Sequence, residues 1–267
     1  MEDLEQSRVR EMYYTSQLDD LAALGLDWDE PVVRQTDRLD LYRDALADLV
    51  GAGVTYPCYC SHRDIREATQ APHGSAIPYP GTCRTLTHAE RLEQIDSGRP
   101  PAIRLRTNGA SVTFDDLVLG EVSGPVDDVV LLRNDGLPAY NLAVVVDDVD
   151  QKIEVVVRGD DLAGPTLGHI YLAGQLSLPV PSYGHVPLVL APSGERLAKR
   201  DGAVTLADRL ALGESPNEVV SFLAATLGLC PRGEQVRASD LVAGFELAAI
   251  TKEPVTLVAG DIAPATG

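Results

Sequence analysis

Ile153 to Val157 is a mostly β-branched run, apolar but for Glu154. It stops at Arg158-Gly159-Asp160-Asp161, and a helical pattern then continues to about Leu176. β-Branched side chains favour a pleated strand, and a strand that feeds directly into a helix is half of a βαβ unit. The run therefore predicts a buried strand in a parallel α/β sheet, with Arg158 at its carboxyl end. In open sheets of this kind, ligands collect beyond the carboxyl ends of the strands. A guanidinium placed there offers a two-pronged fork to a carboxylate, which lysine does not. The plain structural alternative for Arg158 is an ion pair at a helix terminus.

The rest of the chain alternates in the same manner. Residues 7 to 25 place Leu18, Leu21 and Leu24 at helical spacing, and Arg38 to Val50 repeats it through Leu39, Tyr42, Leu46 and Leu49 before Gly51. Val54-Thr55-Tyr56 reads as a short strand, His88 to Ile95 as a helix and Pro101 to Arg106 as a strand. Ser111 to Val122 alternates as a hairpin, and Val129 to Leu132 is a buried strand closed by the Asn134-Asp135-Gly136 turn. Tyr140 to Val146 fits strand or helix equally well. Val186 to Leu190 is the next strand, Ser193-Gly194 a turn, and from Thr205 the pattern is helical, with a frayed tail over Gly260 to Gly267. Strands interleaved with helices predict an α/β fold, and the late helices a C-terminal bundle.

A chain of 267 residues, 45% of them apolar, encloses a substantial core. No apolar run approaches the roughly 20 residues needed to cross a bilayer, and the N-terminus has no signal-peptide pattern, so a cytoplasmic location without a membrane partner is expected. The net charge of −18 argues against a broad nucleic-acid-binding face, although it leaves room for a local basic groove. Arg196, Lys199 and Arg200 concentrate three of the 22 basic residues in one short stretch, a composition also common in solvated loops.

Cys58, Cys60 and Cys83 cluster in the sequence, whereas Cys230 stands apart. Without a secretion signal, clustered thiols are better read as metal ligands than as disulfides. Zinc takes four tetrahedral donors, so three cysteines leave one position, with Tyr79, His62 and His73 as the local candidates. Coordination chemistry alone favours a histidine. Four protein donors would make the ion structural, since no position is left for water. The bland alternative is three unpaired thiols.

Two segments together resemble the glutamate-specific branch of the class I aminoacyl-tRNA synthetases: Val155 to Leu162, and Gly194-Glu195-Arg196-Leu197-Ala198-Lys199-Arg200-Asp201 about forty residues later. The second occupies the place of that class's KMSKS loop, with Arg196, Ala198 and Arg200 as departures from the motif. The resemblance implies that Lys199 is the ATP-binding, catalytic lysine that neutralises charge building on the α-phosphate. Leu137-Pro138-Ala139-Tyr140-Asn141-Leu142 resembles the family stretch whose tyrosine contacts the amino acid. Met1-Glu2-Asp3-Leu4 looks like the family's glutamate-aspartate motif, whose glutamate helps hold the α-amino group. Glu2, Tyr140 and Arg158 are thus the implied glutamate-binding residues. Taken alone, they would be a solvated acid, a core tyrosine and an ion-paired arginine. Gly168-His169-Ile170 only superficially resembles the HIGH motif and is expected to be a helix interior with a structural His169.

Cys-x-Cys followed by Tyr-x-x-x-Cys is similar to the zinc site of a subset of glutamyl-queuosine tRNA(Asp) synthetases, which makes Tyr79 the fourth ligand beside Cys58, Cys60 and Cys83. The implied fold is a class I Rossmann-like parallel sheet, N-terminally incomplete, with a zinc-bearing insertion and a C-terminal helical bundle. Residues 1–57 would form the remainder of the first Rossmann half and 58–127 the zinc-binding and connecting insertion. Residues 128–204 would form the second half with its lysine loop, and 205–267 the helical region. In the family the HIGH segment precedes the point where this chain begins, so Met1 is expected to be internal to a protein starting about 35 to 40 residues earlier, the length of a βα unit. About 65 residues follow the lysine loop, too few for the anticodon-binding region of an ordinary glutamyl-tRNA synthetase. The resemblance implies a monomer that uses ATP with Mg(2+), and Zn(2+), to attach glutamate to queuosine in tRNA(Asp). The alternatives are a short glutamyl-tRNA synthetase charging tRNA(Glu) and a truncated, non-catalytic zinc- or RNA-binding paralogue.

Overall fold

The computed structural model describes residues 1–5, 9–69, 78–197 and 205–257, without the side chains of His62 and Thr69. Three sheets organise the described residues. Strands β1 (Thr55–Cys58), β2 (Ala102–Leu105) and β5 (Val130–Leu132) form an antiparallel sheet in the order β1-β2-β5. Strands β3 (Ser111–Asp116), β4 (Gly120–Pro125), β6 (Val155–Gly159) and β7 (Ser182–Val186) form a second sheet in the order β4-β3-β7-β6. Within it β3 and β4 are an antiparallel hairpin, whereas β7 runs parallel to both β6 and β3. The third is a parallel pair, β8 (Val189–Leu190) with β9 (Val255–Thr256). The parallel βαβ unit is therefore β6, helix α6 (Ala163–Gln175) and β7, and the wider architecture is mixed α/β.

Strand β6 lies at the edge of its sheet, and Val155 and Val157 are 47% and 53% exposed. Within this chain the strand is therefore not buried, which is how an N-terminally incomplete sheet would leave it. The strand expected at Val186 to Leu190 is divided between β7 and β8. Ser182-Tyr183-Gly184-His185 carries a weak strand signal, and β7 is specified by pairing with β6 and by close packing. A Cβ on Gly184 would lie 2.6 Å from Leu247 Cδ2, so a side chain at this position would require Leu247 to shift.

Helices α2 (Leu39–Gly51), α5 (Tyr140–Asp150) and α6 enclose the main core. There Tyr42 and Leu49 meet Leu142, Ala143 and Val145, together with Leu172, Ala173 and the strand residues Leu105 and Leu131. This burial resolves Tyr140 to Val146 as helix despite its three valines, since packing overrides a modest intrinsic propensity. Helix α1 (Glu11–Ala23) buries no residue fully, and Leu21 is exposed. Helices α3 (His62–Thr69) and α4 (His88–Asp96) flank the cysteine segment. In the C-terminal region, reciprocal capping by Thr205 with Asp208 and by Ser215 with Glu218 starts α7 (Leu206–Ala211) and α8 (Pro216–Thr226), followed by α9 (Ala238–Val242). The chain then makes a 3₁₀ turn at Leu247–Ala249 and returns as β9, so the region is not wholly helical. No helix among the described residues is long and apolar enough to cross a membrane.

Candidate active site and metal centre

The N-terminal segment is pinned at several points. The Met1 amino group donates to Val33 O at 2.7 Å, and the buried Asp3 carboxylate accepts from Thr36 N, Thr36 Oγ1 and Tyr14 Oη. Burial alone would raise Asp3, but these hydrogen bonds outweigh it and hold the carboxyl below its usual range. The loop that accepts this segment is tied to α5 through Asp147, which accepts from Gln35 Nε2, Arg38 Nε and Tyr42 Oη at 2.8–2.9 Å. The result places Glu2, exposed, on the wall of a 530 Å³ cavity opposite the N-terminal end of α5, where Tyr140 and Asn141 line it.

Arg158 lies behind Tyr140. Its Nη1 donates to Tyr140 Oη at 3.4 Å, Nε to His185 Nε2 at 3.3 Å, and Nη2 to Thr166 Oγ1 and to His169 Nδ1, the last at 3.2 Å. Its guanidinium carbon stands 5.4 Å from the centre of the Tyr183 ring. Every hydrogen-bond acceptor in this set is neutral, and among the described residues no carboxylate forms an ion pair with Arg158. By contrast, Arg38 is paired with Asp147 and Asp150, and Arg84 with Asp128. A half-buried cation without an anion is costly to maintain, and the cost is offset when an anionic ligand binds.

Because a guanidinium only donates, His169 Nδ1 must be the unprotonated nitrogen, and Nε2–H then donates to Asn141 Oδ1 at 3.1 Å. Burial, reinforced by Arg158, lowers His169 to about 3. On α5 itself, burial raises Asp148 to about 6, with Arg158 opposing and Asp147 and Glu2 adding to the rise. The structure thus joins Glu2 and Tyr140 at one cavity and attaches Arg158 to it through the tyrosine hydroxyl. Thr166, His185 and Asp116, which complete the support of Arg158, were not singled out in the sequence, and His169 combines a helix-interior position with a direct contact to the guanidinium.

Lys199 lies outside the described residues, as do Ala198 and Arg200. The last described residues of that loop are anchored beside the β6–α6 turn, where Arg196 Nη1 meets Asp161 Oδ2 at 2.6 Å.

Cys58 and Cys60 leave the end of β1, and Tyr79 and Cys83 approach them from the following segment. The three sulfurs lie within 4.8 Å of one another. Zn–S bonds of about 2.3 Å in a tetrahedron set sulfur–sulfur separations of about 3.8 Å, and a Zn–O bond of about 2.0 Å sets sulfur–oxygen separations of about 3.5 Å. Cys60 Sγ and Cys83 Sγ are 3.5 Å apart, and Tyr79 Oη is 3.3 Å from Cys58 Sγ and 3.7 Å from Cys60 Sγ. Tyr79 Oη also accepts from Cys83 N at 2.8 Å, and the Arg104 guanidinium carbon is 3.8 Å from the tyrosine ring centre. His73 and the side chain of His62 are outside the described residues.

A hydrogen bond with Cys83 lowers Cys58 to about 4, and the same bond together with burial pushes the Cys83 thiol up. Burial and the neighbouring Cys58 push the Tyr79 phenol up as well. One thiolate forms easily here, but further anions at such separations need a cation among them. The cluster therefore fits a metal ion.

A parallel βαβ unit with Arg158 at the carboxyl end of its first strand is the arrangement in which open α/β sheets bind ligands. Residues 1–256 match the family described as tRNA synthetases class I (E and Q), catalytic domain. The chain belongs to this family. It is 53% identical to the Glutamyl-Q tRNA(Asp) synthetase of Nocardia farcinica, over 95% of this chain and 80% of that protein. It is 44% identical to the protein of the same name from Symbiobacterium thermophilum, over 100% of this chain and 87% of that one. A crystal structure of a glutamate tRNA ligase from Elizabethkingia meningosepticum in complex with its amino acid shares the fold, with a TM-score of 0.78 at 22% identity, covering 97% of this chain and 60% of that chain.

Proposed function

We propose that this protein activates glutamate with ATP and transfers it to the queuosine base in the anticodon of tRNA(Asp). The observation that carries the proposal is the half-buried guanidinium of Arg158, surrounded by neutral hydrogen-bond acceptors, behind a cavity walled by Tyr140 and Glu2. Arg158 and Tyr140 hold the side-chain carboxylate of glutamate, and Glu2 attracts its ammonium group. An oxygen of the α-carboxylate then attacks the α-phosphorus of Mg(2+)-bound ATP, giving glutamyl-adenylate and releasing pyrophosphate. Lys199 neutralises the charge that builds on the phosphate oxygens. In the second step a hydroxyl of the queuosine diol attacks the activated carbonyl, and AMP leaves. The assignment to tRNA(Asp) is supported by the names of the relatives at 53% and 44% identity, whereas a relative named Glutamate--tRNA ligase, from Synechococcus sp., is 38% identical.

Cys58, Cys60, Tyr79 and Cys83 would hold a structural zinc ion, a role supported by separations that match a tetrahedron of three thiolates and one phenolate. A tRNA substrate places the work in the cytoplasm. The test has two stages. Glutamate-dependent ATP–pyrophosphate exchange is measured first. Labelled glutamate is then offered with tRNA(Asp) that does or does not contain queuosine, and the label is located by nuclease mapping. Label in the anticodon fragment of the queuosine-containing tRNA alone is expected. Label at the 3′ end of tRNA(Glu) would overturn the proposal in favour of an ordinary charging enzyme.

A further inference from the structure

Arg158 carries five N–H donors, and the contacts above engage four of them: one on Nε, two on Nη2 and one on Nη1. One Nη1 hydrogen is left for a ligand, beside the hydroxyl of Tyr140. What fixes this orientation is a buried chain behind the guanidinium. His185 Nε2 accepts from Arg158 Nε, so the imidazole carries its proton on Nδ1, and that nitrogen meets Asp116 Oδ2 at 2.6 Å. The other Asp116 oxygen accepts the backbone N–H groups of Val118, Leu119 and His185 at 2.9–3.1 Å. Thr166 Oγ1 accepts from Arg158 Nη2 and donates to Leu162 O at 2.7 Å, which closes the support on the α6 side. His185 is fully buried and Asp116 nearly so.

We infer that His185, oriented by Asp116, is a positioning residue that sets the guanidinium of Arg158 for a carboxylate ligand while leaving it without a directly bonded carboxylate. A carboxylate bonded directly to Arg158 would neutralise it. An imidazole placed between the two provides the orientation of an ion pair and keeps the anion one ring away, in the manner of the outer-shell acids that orient metal-bound histidines. The inference rests on the glutamate reading of the site and adds to it an account of how the carboxylate-binding cation is held.

Two substitutions divide the chain of contacts. His185→Asn keeps an amide near the Asp116 end but removes the acceptor facing Arg158, whereas His185→Gln reaches the Arg158 end and releases Asp116. In the exchange assay His185→Asn should raise the KM for glutamate by on the order of 10–100-fold with the KM for ATP little changed, and His185→Gln should recover part of that loss. Asp116→Asn should raise the glutamate KM on its own but add nothing in the His185→Asn background. Additive effects, or equal losses for glutamate and ATP, would overturn the inference.

A second measurement does not depend on catalysis. Long-range ¹H–¹⁵N spectra of the full chain should show His185 as the Nδ1–H tautomer, and Asp116→Asn should shift or broaden the Arg158 Nε–H resonance. An Nε2–H tautomer, or an Arg158 signal indifferent to Asp116, would refute the positioning role even if the protein showed no glutamate-dependent exchange, an outcome that would instead count against the proposed function.

Discussion

Lowering the pH should destabilise this protein through His169 before Asp3, Asp116 and Asp128 titrate. His169 is 1% exposed and lowered from 6.5 to about 3, by burial first and by Arg158 second. The unfolded chain therefore binds a proton below about 6.5 that the folded chain refuses until about 3. For a base depressed in this way, the stability present above its unfolded value is lost as the pH falls. At pH 5 the folded imidazole is still neutral, so the loss depends only on the unfolded value: about 1.5 pH units at 1.36 kcal/mol each, or about 2 kcal/mol. Asp3, Asp116 and Asp128 are held below the usual carboxylate range and lose their contributions only below about 4. Asp148, raised to about 6 by burial, works in the opposite direction, because its protonation in the folded state favours folding as the pH falls. The wild-type curve alone mixes these effects, so the informative quantity is the difference from His169→Gln. Urea unfolding of both proteins at pH 7.5 and pH 5 should give a stability difference that shifts by about 2 kcal/mol in favour of the variant at the lower pH. Parallel pH dependences would refute the placement of a neutral, buried His169 against Arg158.

Three further outcomes follow from other parts of the molecule. Arg158→Ala should raise the glutamate KM by at least about 100-fold while the KM for ATP changes little, measured by pyrophosphate exchange; equal losses for both would contradict a role in carboxylate binding. Cys83→Ser should reduce bound zinc from about one equivalent per chain towards zero and lower the melting temperature, whereas unchanged metal content by mass spectrometry would exclude Cys83 as a ligand. Gly184→Ala should cost about 1–3 kcal/mol in chemical denaturation, because its Cβ would strike Leu247, and Leu247→Ala should relieve part of that cost.

The helices were legible where apolar residues recur on one face, as in Leu39, Tyr42, Leu46 and Leu49 of α2, and where turn residues frame a strand, as Asn134-Asp135-Gly136 does after β5. The antiparallel sheet was not, because pairing partners such as Thr55 and Leu105 are set by contacts distant in the chain. The same limit explains the site. Arg158, Tyr140 and the cysteines belong to local patterns, so a short motif exposes them. Asp116, Thr166 and His185 sit in a hairpin, a helix and a weakly signalled strand, and only the parallel pairing of β7 with β6 and β3 sets them side by side. Neither Gly184 nor His185 suggests a buried strand until the packing of Leu247 and the hydrogen bond to Asp116 are seen.

Asp116 comes from the hairpin β3–β4, within the stretch of chain that separates the cysteine cluster from the βαβ unit. A segment that only covered the sheet could be exchanged among relatives as a self-contained module, with its own evolutionary history. This one places a carboxylate two hydrogen bonds from Arg158, so grafting a foreign hairpin here would also alter how the pocket greets its amino acid. Changes in that hairpin and changes around the pocket should for this reason have been inherited together.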